Sequence, residues 1–257
     1  MPDRRWRAAA VIAAVAGLSA CGTDDTGLGL DLVPEQQVQQ MGLETWQAIR
    51  AETPAVDDTA QQQRARRVAD KVLRAAGKEP SEWEVVVFQG AEPNAFALPG
   101  KKIGVYEGMM RLADTDAQLA AVISHEIAHN EADHSAERLN SQVASQAGVD
   151  IAASVLGAAT GMPADLTAGI LGAGVQYGVL LPYSRNQELE ADRLGLGYMA
   201  EAGYDPRGAV ALWEKMSQAG GQPPAFLSTH PAPRQRIEEL QAMLPEAMEA
   251  YRRSGAG

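Results

Sequence analysis

Cysteine, aromatic residues and positive charge are all scarce in this sequence, and each scarcity excludes something. Cys21 is the only cysteine, so no internal disulfide can form. Aromatic residues make up 5% of the chain, and the core must therefore consist largely of Ala, Val, Leu, Ile and Met. The formal net charge is -11, from 33 acidic and 22 basic residues. Because this charge repels phosphate backbones and no Lys/Arg stripe with interleaved aromatics is present, we expect no nucleic-acid partner.

The first twenty residues follow the pattern of a secretory signal peptide. Arg4, Arg5 and Arg7 supply positive charge, and residues 8–18 form an apolar run. This run is too short to span a bilayer as a helix, which needs about 20 residues. Its length instead fits the apolar part of a signal peptide, so residues 1–20 are predicted to be one.

A lipid anchor is predicted directly after this segment. Residues 18–21 read Leu-Ser-Ala-Cys, which resembles a lipobox in which Cys21 is lipidated and becomes the mature N-terminus. Residues 21–33 are then a lipidated tether, and residues 34–257 the folded domain. Gly22 stands where Asp commonly marks inner-membrane retention in such lipoproteins. We therefore expect the protein on the periplasmic side of the outer membrane, attached through Cys21.

The folded part is predicted to be α+β and mainly α-helical, with a small antiparallel β-sheet. Residues 83–89 are rich in Val and predict a strand, and residues 95–98 and 101–106 predict a hairpin. Leu119, Ile123 and Ile127 recur every four positions, which is typical of a helix with a buried stripe, and this helix is predicted to run from about residue 115 to about residue 140. Residues 141–181 are rich in small apolar residues broken by Gly, Pro and Asp, and we predict two buried helices there.

The strongest chemical signal is an H-E-x-x-H sequence formed by His125, Glu126 and His129. Positions i and i+4 of a helix share one face, so both imidazoles can reach a single metal ion. Zn²⁺ accepts His nitrogens and keeps one position open for water in catalytic sites. The sequence therefore predicts one zinc ion per chain, with Glu126 as the base that takes a proton from water.

A third ligand is predicted in the acidic stretch at 188–192. Glu188 and Asp192 are again separated by one helical turn. A Glu would complete a His₂Glu site, and the Asp could orient a ligand histidine from behind. Glu190 is the competing ligand in this stretch, and an acidic helix face in solvent is the alternative for the stretch taken alone.

Several of these motifs together resemble metallopeptidase family forty-eight, the HtpX/BepA-like and CAAX-prenyl-protease-like gluzincins. The resemblance rests on the motifs at 125–129 and 188–192, on Ser-Arg at 184–185, on Ser-Thr-His-Pro at 228–231, and on the hairpin sequence at 94–100. It covers nearly all of the chain after the predicted tether. It implies a zincin-like gluzincin fold, a zinc cofactor and endopeptidase activity, in a lipoprotein form.

The resemblance also implies roles for individual residues. The position of Glu188 is that of the third zinc ligand, and the position of Asp192 is that of the residue supporting the first histidine. The position of His230 lies near the metal. There His230 could stabilise the oxyanion or occupy the open coordination site as a latch, and a structural histidine in a Pro-flanked turn is the alternative.

Two further residues leave alternatives open. Arg236 could bind the oxyanion or a substrate carbonyl, or it could form a helix-surface ion pair with Glu239. His134 falls on a different face of the predicted helix from His129 and is interpreted as structural.

An extended substrate is predicted to pair with the strand over residues 102–106, in which Val105 lies, with Asn94 at the start of the hairpin. The predicted function is that of an envelope zinc metalloendopeptidase that hydrolyses misfolded or stalled envelope proteins. The alternative is a chaperone-like client-binding module for the outer-membrane assembly machinery, with proteolysis latched by His230. A third possibility, an integral-membrane prenyl-protein protease, is not expected because no uninterrupted apolar span of about 20 residues occurs.

Overall fold

The computed structural model describes residues 33–141, 183–218, 224–231 and 233–255. The chain forms two compact units, Met1–Val33 with Glu137–Leu181 and Pro34–Ala136 with Pro182–Gly257. The helices and strands given below all belong to the second unit. The predicted signal peptide, the lipidated Cys21 and the two helices predicted within 141–181 fall outside the described residues, and the predicted domain boundaries stay predictions.

Helices dominate the described part of the chain, and the predicted α+β, mainly helical class is confirmed. Among the described residues, no helix combines the length and the apolar character that a membrane crossing requires. The helices are α1 (Glu35–Glu52), α2 (Thr59–Ala75), α3 (Glu107–Leu112), α4 (Asp116–Glu131), α5 (Arg185–Glu201), α6 (Arg207–Gln218), α7 (Phe226–Thr229) and α8 (Pro233–Arg253). The strands are β1 (Glu84–Phe88), β2 (Ala95–Leu98) and β3 (Lys102–Tyr106).

The small sheet is mixed, which corrects the expectation of an antiparallel sheet. Its strand order is β1-β3-β2, with β2 antiparallel and β1 parallel to β3. The predicted hairpin of β2 and β3 forms, and its turn uses left-handed backbone at Gly100 (φ 84°) and Lys101 (φ 64°). The chain reaches β3 by way of β2 on the far edge, so β1 meets β3 in the same direction. This crossover is the reason for the parallel pair.

Helix α4 is the central element of the core. Every residue from Val122 to His129 is buried, so the helix has no solvent face over two turns. The apolar positions Leu119, Ile123 and Ile127 are each 0% exposed. Polar side chains on this stretch are consequently surrounded by protein, where a hydrogen-bond partner, an opposite charge or a metal must satisfy them.

A glycine lets α5 lie close against α4. A Cβ at Gly195 would sit 3.0 Å from the backbone N of His125 and 3.1 Å from the carbonyl of Ser124. The side chains of Glu188 and Asp192 lie on the same face of α5 as this glycine, at spacings of seven and three residues. The close approach therefore places both carboxylates against the histidine-bearing turns of α4.

Helix α4 ends earlier than the sequence predicts. It stops at Glu131 rather than near residue 140, and the turn that follows contains Asp133 with φ 54°. Helical structure resumes at His134 and continues through residue 141. Asp is one of the few residues that adopt left-handed backbone readily, which makes the interruption inexpensive here.

Candidate metal centre

Four buried side chains converge beside α4. His125, His129, Glu188 and His230 each offer one ligand atom, and these atoms all lie within 4.8 Å of one another. The Nε2 atoms of the two α4 histidines are 3.0 Å apart. The carboxylate oxygens of Glu188 lie 3.4 Å from each of those nitrogens. The structure thus brings together the three predicted ligands and adds His230.

The donor set fits zinc. Tetrahedral bonds of about 2.0–2.1 Å place neighbouring ligand atoms about 3.3 Å apart, close to the observed spacings. Imidazole nitrogen and carboxylate oxygen are also the donor types that zinc prefers. Glu126 supplies a second indication, since both of its carboxylate oxygens are buried and have no hydrogen-bond partner in the described part of the chain. A buried carboxylate without hydrogen bonds is costly unless the site gives it a positive partner or a proton.

A charged network lies behind His125. Asp192 Oδ1 is 3.1 Å from His125 Nδ1, which places the carboxylate where the predicted supporting residue should be. The guanidinium of Arg236 donates from Nε and Nη2 to the two oxygens of Asp192, each at 2.6 Å. Its Nη1 pairs with Glu188 Oε2. The Trp213 ring lies 3.8 Å from Arg236 Cζ, within cation–π distance.

This network corrects both readings of Arg236. The side chain is 1% exposed and is held by two carboxylates. It therefore has neither the surface position of an ion pair with Glu239 nor the free donors that a substrate carbonyl would need. The sequence could not reveal this, because the partners Glu188 and Asp192 come from a helix that is remote in the chain.

The two α4 histidines titrate in opposite directions. Around His125, burial and Arg236 lower the pKa, but the hydrogen bonds to Asp192 and Glu188 outweigh them and raise it to about 9. Burial and the neighbouring His125 hold the pKa of His129 well below its ordinary value. Of the two α4 histidines, His125 therefore holds a proton more strongly than His129 in the metal-free protein.

The two acidic side chains of the network stay charged. Burial raises the pKa of Glu188, but His230 and Arg236 lower it well below its usual range. Burial likewise raises the pKa of Asp192, and the charge and hydrogen bonds of Arg236 more than offset this. Two carboxylates thus stand ready to balance a bound cation.

His129 lies among rings. Its Nδ1 is 2.9 Å from His134 Nδ1, and the Tyr183 ring stacks on it with centroids 3.9 Å apart. Glu190, the competing ligand in the sequence, lies outside the cluster, and its Oε2 is 3.5 Å from His134 Nε2. The interruption of the helix at Asp133 brings His134 back to His129. Sequence periodicity, which assumed an unbroken helix, put it on another face.

His230 lies at the centre of the cluster. Its Nδ1 is 2.9 Å from Glu188 Oε1 and 3.2 Å from His125 Nε2. Its Nε2 is 3.4 Å from Glu126 Oε1, and both side chains are nearly fully buried. The imidazole of His230 therefore faces the predicted ligand Glu188 through Nδ1 and the predicted base Glu126 through Nε2.

The predicted substrate strand is in the wrong place in the sheet. Val105 belongs to the central strand β3, where Val87 pairs on one side and Ala95 on the other, so no edge is left for a substrate. Within the described residues, β2 has a strand neighbour on one side only. Asn94 directly precedes β2, and its backbone oxygen accepts a hydrogen bond from Tyr106 N at 2.9 Å. In the described sheet, β2 rather than β3 is therefore the strand of the hairpin that has an unpaired edge.

Comparison with known proteins gives a consistent family. The model of peptidase family M48 matches residues 59–244. Mitochondrial metalloendopeptidase OMA1 of Schizosaccharomyces pombe is 40% identical over 184 residues, which are 70% of this chain and 52% of that protein. The OMA1 protein of Arabidopsis thaliana is 34% identical over 230 residues, 88% of this chain and 45% of the relative. The beta-barrel assembly-enhancing protease of Escherichia coli is 28% identical over 212 residues, which are 80% of this chain and 43% of that protein.

These relatives correct the predicted location. The proteins at 40% and 34% identity are named as mitochondrial, so the expected lipid-anchored position on the periplasmic side of the outer membrane is wrong. The chain spans about half the length of the curated relatives it matches. The predictions of a metallopeptidase and of a single zinc cofactor are confirmed by the family and by the buried cluster. The chain belongs to peptidase family M48, a family of zinc-dependent metallopeptidases.

Proposed function

We propose that this chain is an endopeptidase that cuts extended segments of unfolded, stalled or misassembled proteins. His125, His129 and Glu188 hold one zinc ion, and Glu126 is the catalytic base. The observation that carries the proposal is the convergence of the three ligands beside a buried carboxylate with no hydrogen-bond partner in the described residues. That carboxylate has lone pairs available for a proton, which is what a base needs.

The chain's own residues divide the chemical work. When bound, zinc supplies a Lewis acid that polarises the scissile carbonyl and makes water more acidic. Glu126 accepts the proton of the attacking water and passes it to the leaving amine. Asp192 accepts from Nδ1–H of His125 and so keeps Nε2 of that ring turned toward the other ligand atoms. Arg236 holds the Asp192 carboxylate in place from behind.

The free edge of β2 is the proposed substrate platform. Pairing in an antiparallel ladder alternates, and Asn94 bonds to β3 through its backbone oxygen. The backbone groups of Ala95 and Ala97 therefore point away from β3; the two residues are 1% and 6% exposed, so an extended substrate would have to displace the groups that cover this edge. The strand ends beside the ligands, since Asn130 donates from Nδ2 to Leu98 O at 2.8 Å. Main-chain pairing of this kind accepts many sequences, in keeping with unfolded substrates.

Substitution of the base tests the proposal. The full chain carrying Glu126→Gln should cleave casein about 10²–10⁴-fold more slowly, because the amide cannot accept the proton. Its zinc content should remain at one ion per chain, since Glu126 is not one of the proposed ligands. A variant that cuts casein at the wild-type rate would contradict the role of Glu126.

A variant of the edge tests the platform separately. Ala97→Pro removes an N–H that faces the open side of β2, and proline is tolerated on such edges. We expect a higher KM for casein with unchanged zinc content, and because Ala97 is 6% exposed, thermal unfolding must show that the fold tolerates the proline ring. An unchanged KM would show that the substrate binds elsewhere.

A second candidate function follows from the position of His230. Because its two ring nitrogens face Glu188 and Glu126, we propose that it closes the resting site as a latch. The chain would then bind clients and cut them only after the ring moves. The relative named as a beta-barrel assembly-enhancing protease supports a role of this kind in assembly.

Removal of the ring separates the latch from a catalytic role. His230→Ala should cut casein faster than the wild type, and Thr229→Ala, at the neighbouring position, should leave the rate unchanged. Slower cleavage by His230→Ala would contradict the latch and favour direct stabilisation of the oxyanion.

A further inference from the structure

The ring of His129 has a buried partner on the side that faces away from the cluster. Its Nδ1 lies 2.9 Å from His134 Nδ1, and the two side chains are 0% and 1% exposed. Two ring nitrogens at this distance share one proton, since two protons would clash and none would leave two lone pairs opposed. The contact therefore fixes a donor and an acceptor.

The proposed zinc site decides which ring is the donor. The Nε2 of His129 is the atom that converges on His125 and Glu188. A neutral imidazole that ligates through Nε2 carries its proton on Nδ1. His129 is then the donor and His134 the acceptor, which leaves the proton of His134 on Nε2. That nitrogen lies 3.5 Å from Glu190 Oε2, longer than the about 2.7–3.2 Å of an ordinary N–H···O hydrogen bond, so Glu190 is the nearby acceptor that a small side-chain movement would bring into reach.

We infer that His134 and Glu190 form a positioning relay, in which His134 accepts from His129 and Glu190 accepts from His134. The relay fixes the tautomer and the ring orientation of His129 and so raises the affinity for zinc. This inference rests on the proposed zinc site. Neither residue touches the reacting atoms, so both are positioning residues.

The fold supplies the relay through two local features. On an unbroken helix, residue 134 would lie about 140° around the axis from residue 129. The left-handed turn at Asp133 (φ 54°) ends that helix and restarts it, which returns His134 to the His129 ring. On α5, Glu188 and Glu190 point in different directions, so one short segment serves the cluster with the first and the relay with the second.

There is an electrostatic reason for an imidazole, rather than a carboxylate, directly behind His129. Glu188, Asp192 and Glu126 already bring three buried carboxyl groups to the site. A fourth buried carboxylate directly behind His129 would add like-charge repulsion and a large desolvation cost. An imidazole accepts the same hydrogen bond without charge, and the side chain of Glu190, 48% exposed, keeps its own charge largely in solvent.

The tautomers can be read in the wild-type protein. The chain has only four histidines, so long-range ¹H–¹⁵N correlations in the zinc-loaded full chain can resolve each ring. We expect His129 with its proton on Nδ1, and His134 neutral with its proton on Nε2. A proton on Nδ1 of His134 would overturn the relay. Failure to bind one equivalent of zinc would instead contradict the proposed site, so the two failures are distinguishable.

Variants measure the effect on zinc. His134→Leu removes the acceptor and should weaken zinc binding about 10–100-fold in chelator competition, with a changed d–d spectrum of the Co²⁺-substituted protein. His134→Asn, whose Oδ1 can accept a hydrogen bond from His129, should recover most of the zinc affinity and most of the wild-type Co²⁺ spectrum. Glu190→Gln should cost less than about tenfold, since its group is half-exposed. Arg193→Gln, an exposed position on α5 three residues from Glu190, is the control and should bind zinc like the wild type.

Two outcomes of this series would overturn the inference. Wild-type zinc affinity and spectrum in His134→Leu would show that the acceptor has no influence on the site. Equal losses in the Asn and Leu variants would show that ring packing, rather than the hydrogen bond, positions His129. If His134→Leu does not fold, the zinc affinity of His134→Asn and the tautomers of the wild-type protein still show whether the hydrogen bond from His129 to His134 exists.

Discussion

The two histidines of α4 sit one turn apart in the same cluster, yet their surroundings differ in kind. Behind His125 lie charges, the carboxylate of Asp192 and the guanidinium of Arg236. Around His129 lie rings, His134 and Tyr183. The charged side controls how strongly a proton competes with the metal, whereas the ring side controls orientation without adding charge. A single site can thus separate electrostatic tuning from geometric support.

The largest effect should come from removing the guanidinium of Arg236 from the charged network behind His125. Arg236→Met leaves Asp192 and Glu188 buried without their cationic partner, which should lower the free energy of unfolding by about 3–5 kcal/mol. Urea unfolding of the metal-free protein measures this. Arg234→Met is the matched control, because Arg234 is exposed on the same helix and its removal should change stability little. Equal losses in the two variants would show that the buried network does not hold this side together.

A smaller effect should come from a substitution that pushes α5 away from α4. At Gly195 a larger side chain meets the backbone of α4 at 3.0–3.1 Å, so Gly195→Val should cost about 1–3 kcal/mol and weaken zinc binding. At Gly197 a Cβ would meet nothing within 4 Å, and Gly197→Val should be tolerated. Thermal unfolding and chelator competition compare the pair. Full zinc affinity in Gly195→Val would mean that the close approach of α5 is not needed for the site.

The difference between the two histidines should also appear as a pH dependence. His125 must lose its proton to ligate zinc, and its pKa is raised to about 9. Zinc affinity should therefore fall about tenfold for each pH unit below 9 and level off above it. The raised pKa also predicts that the metal-free fold loses stability as pH rises from 6.5 to 9. Zinc affinity that is flat between pH 7 and 9 would contradict the assignment of the proton to His125.

The helical part of the site could be predicted from sequence because its geometry is local. The spacing of His125 and His129 requires only that the segment be helical, and the apolar repeat of α4 predicts the one buried stripe, though not the burial of its other faces. The choice of Glu188 over Glu190 was also accessible, since Glu188 and Asp192 share a face that Glu190 does not. The structure agrees with this geometry at each of these positions.

The remaining features depend on tertiary structure and left no sequence signal. The order of strands in the sheet decided that β2, and not the strand containing Val105, has the open edge. The burial of Arg236 depends on partners supplied by another helix. The place of His134 depends on one residue, Asp133, adopting a left-handed conformation inside an otherwise helical pattern. Periodicity assumes regular backbone and therefore fails where a single residue departs from it.

The metal cluster draws its members from α4, from α5 and from the turn between α7 and α8, and His125 and His230 are 105 positions apart. The two α4 histidines alone form a weak metal site compared with a full ligand set. A chain still being synthesised would hold these histidines before Glu188 or His230 had been added. The full set of ligand atoms is consequently complete only once the chain has been synthesised as far as residue 230.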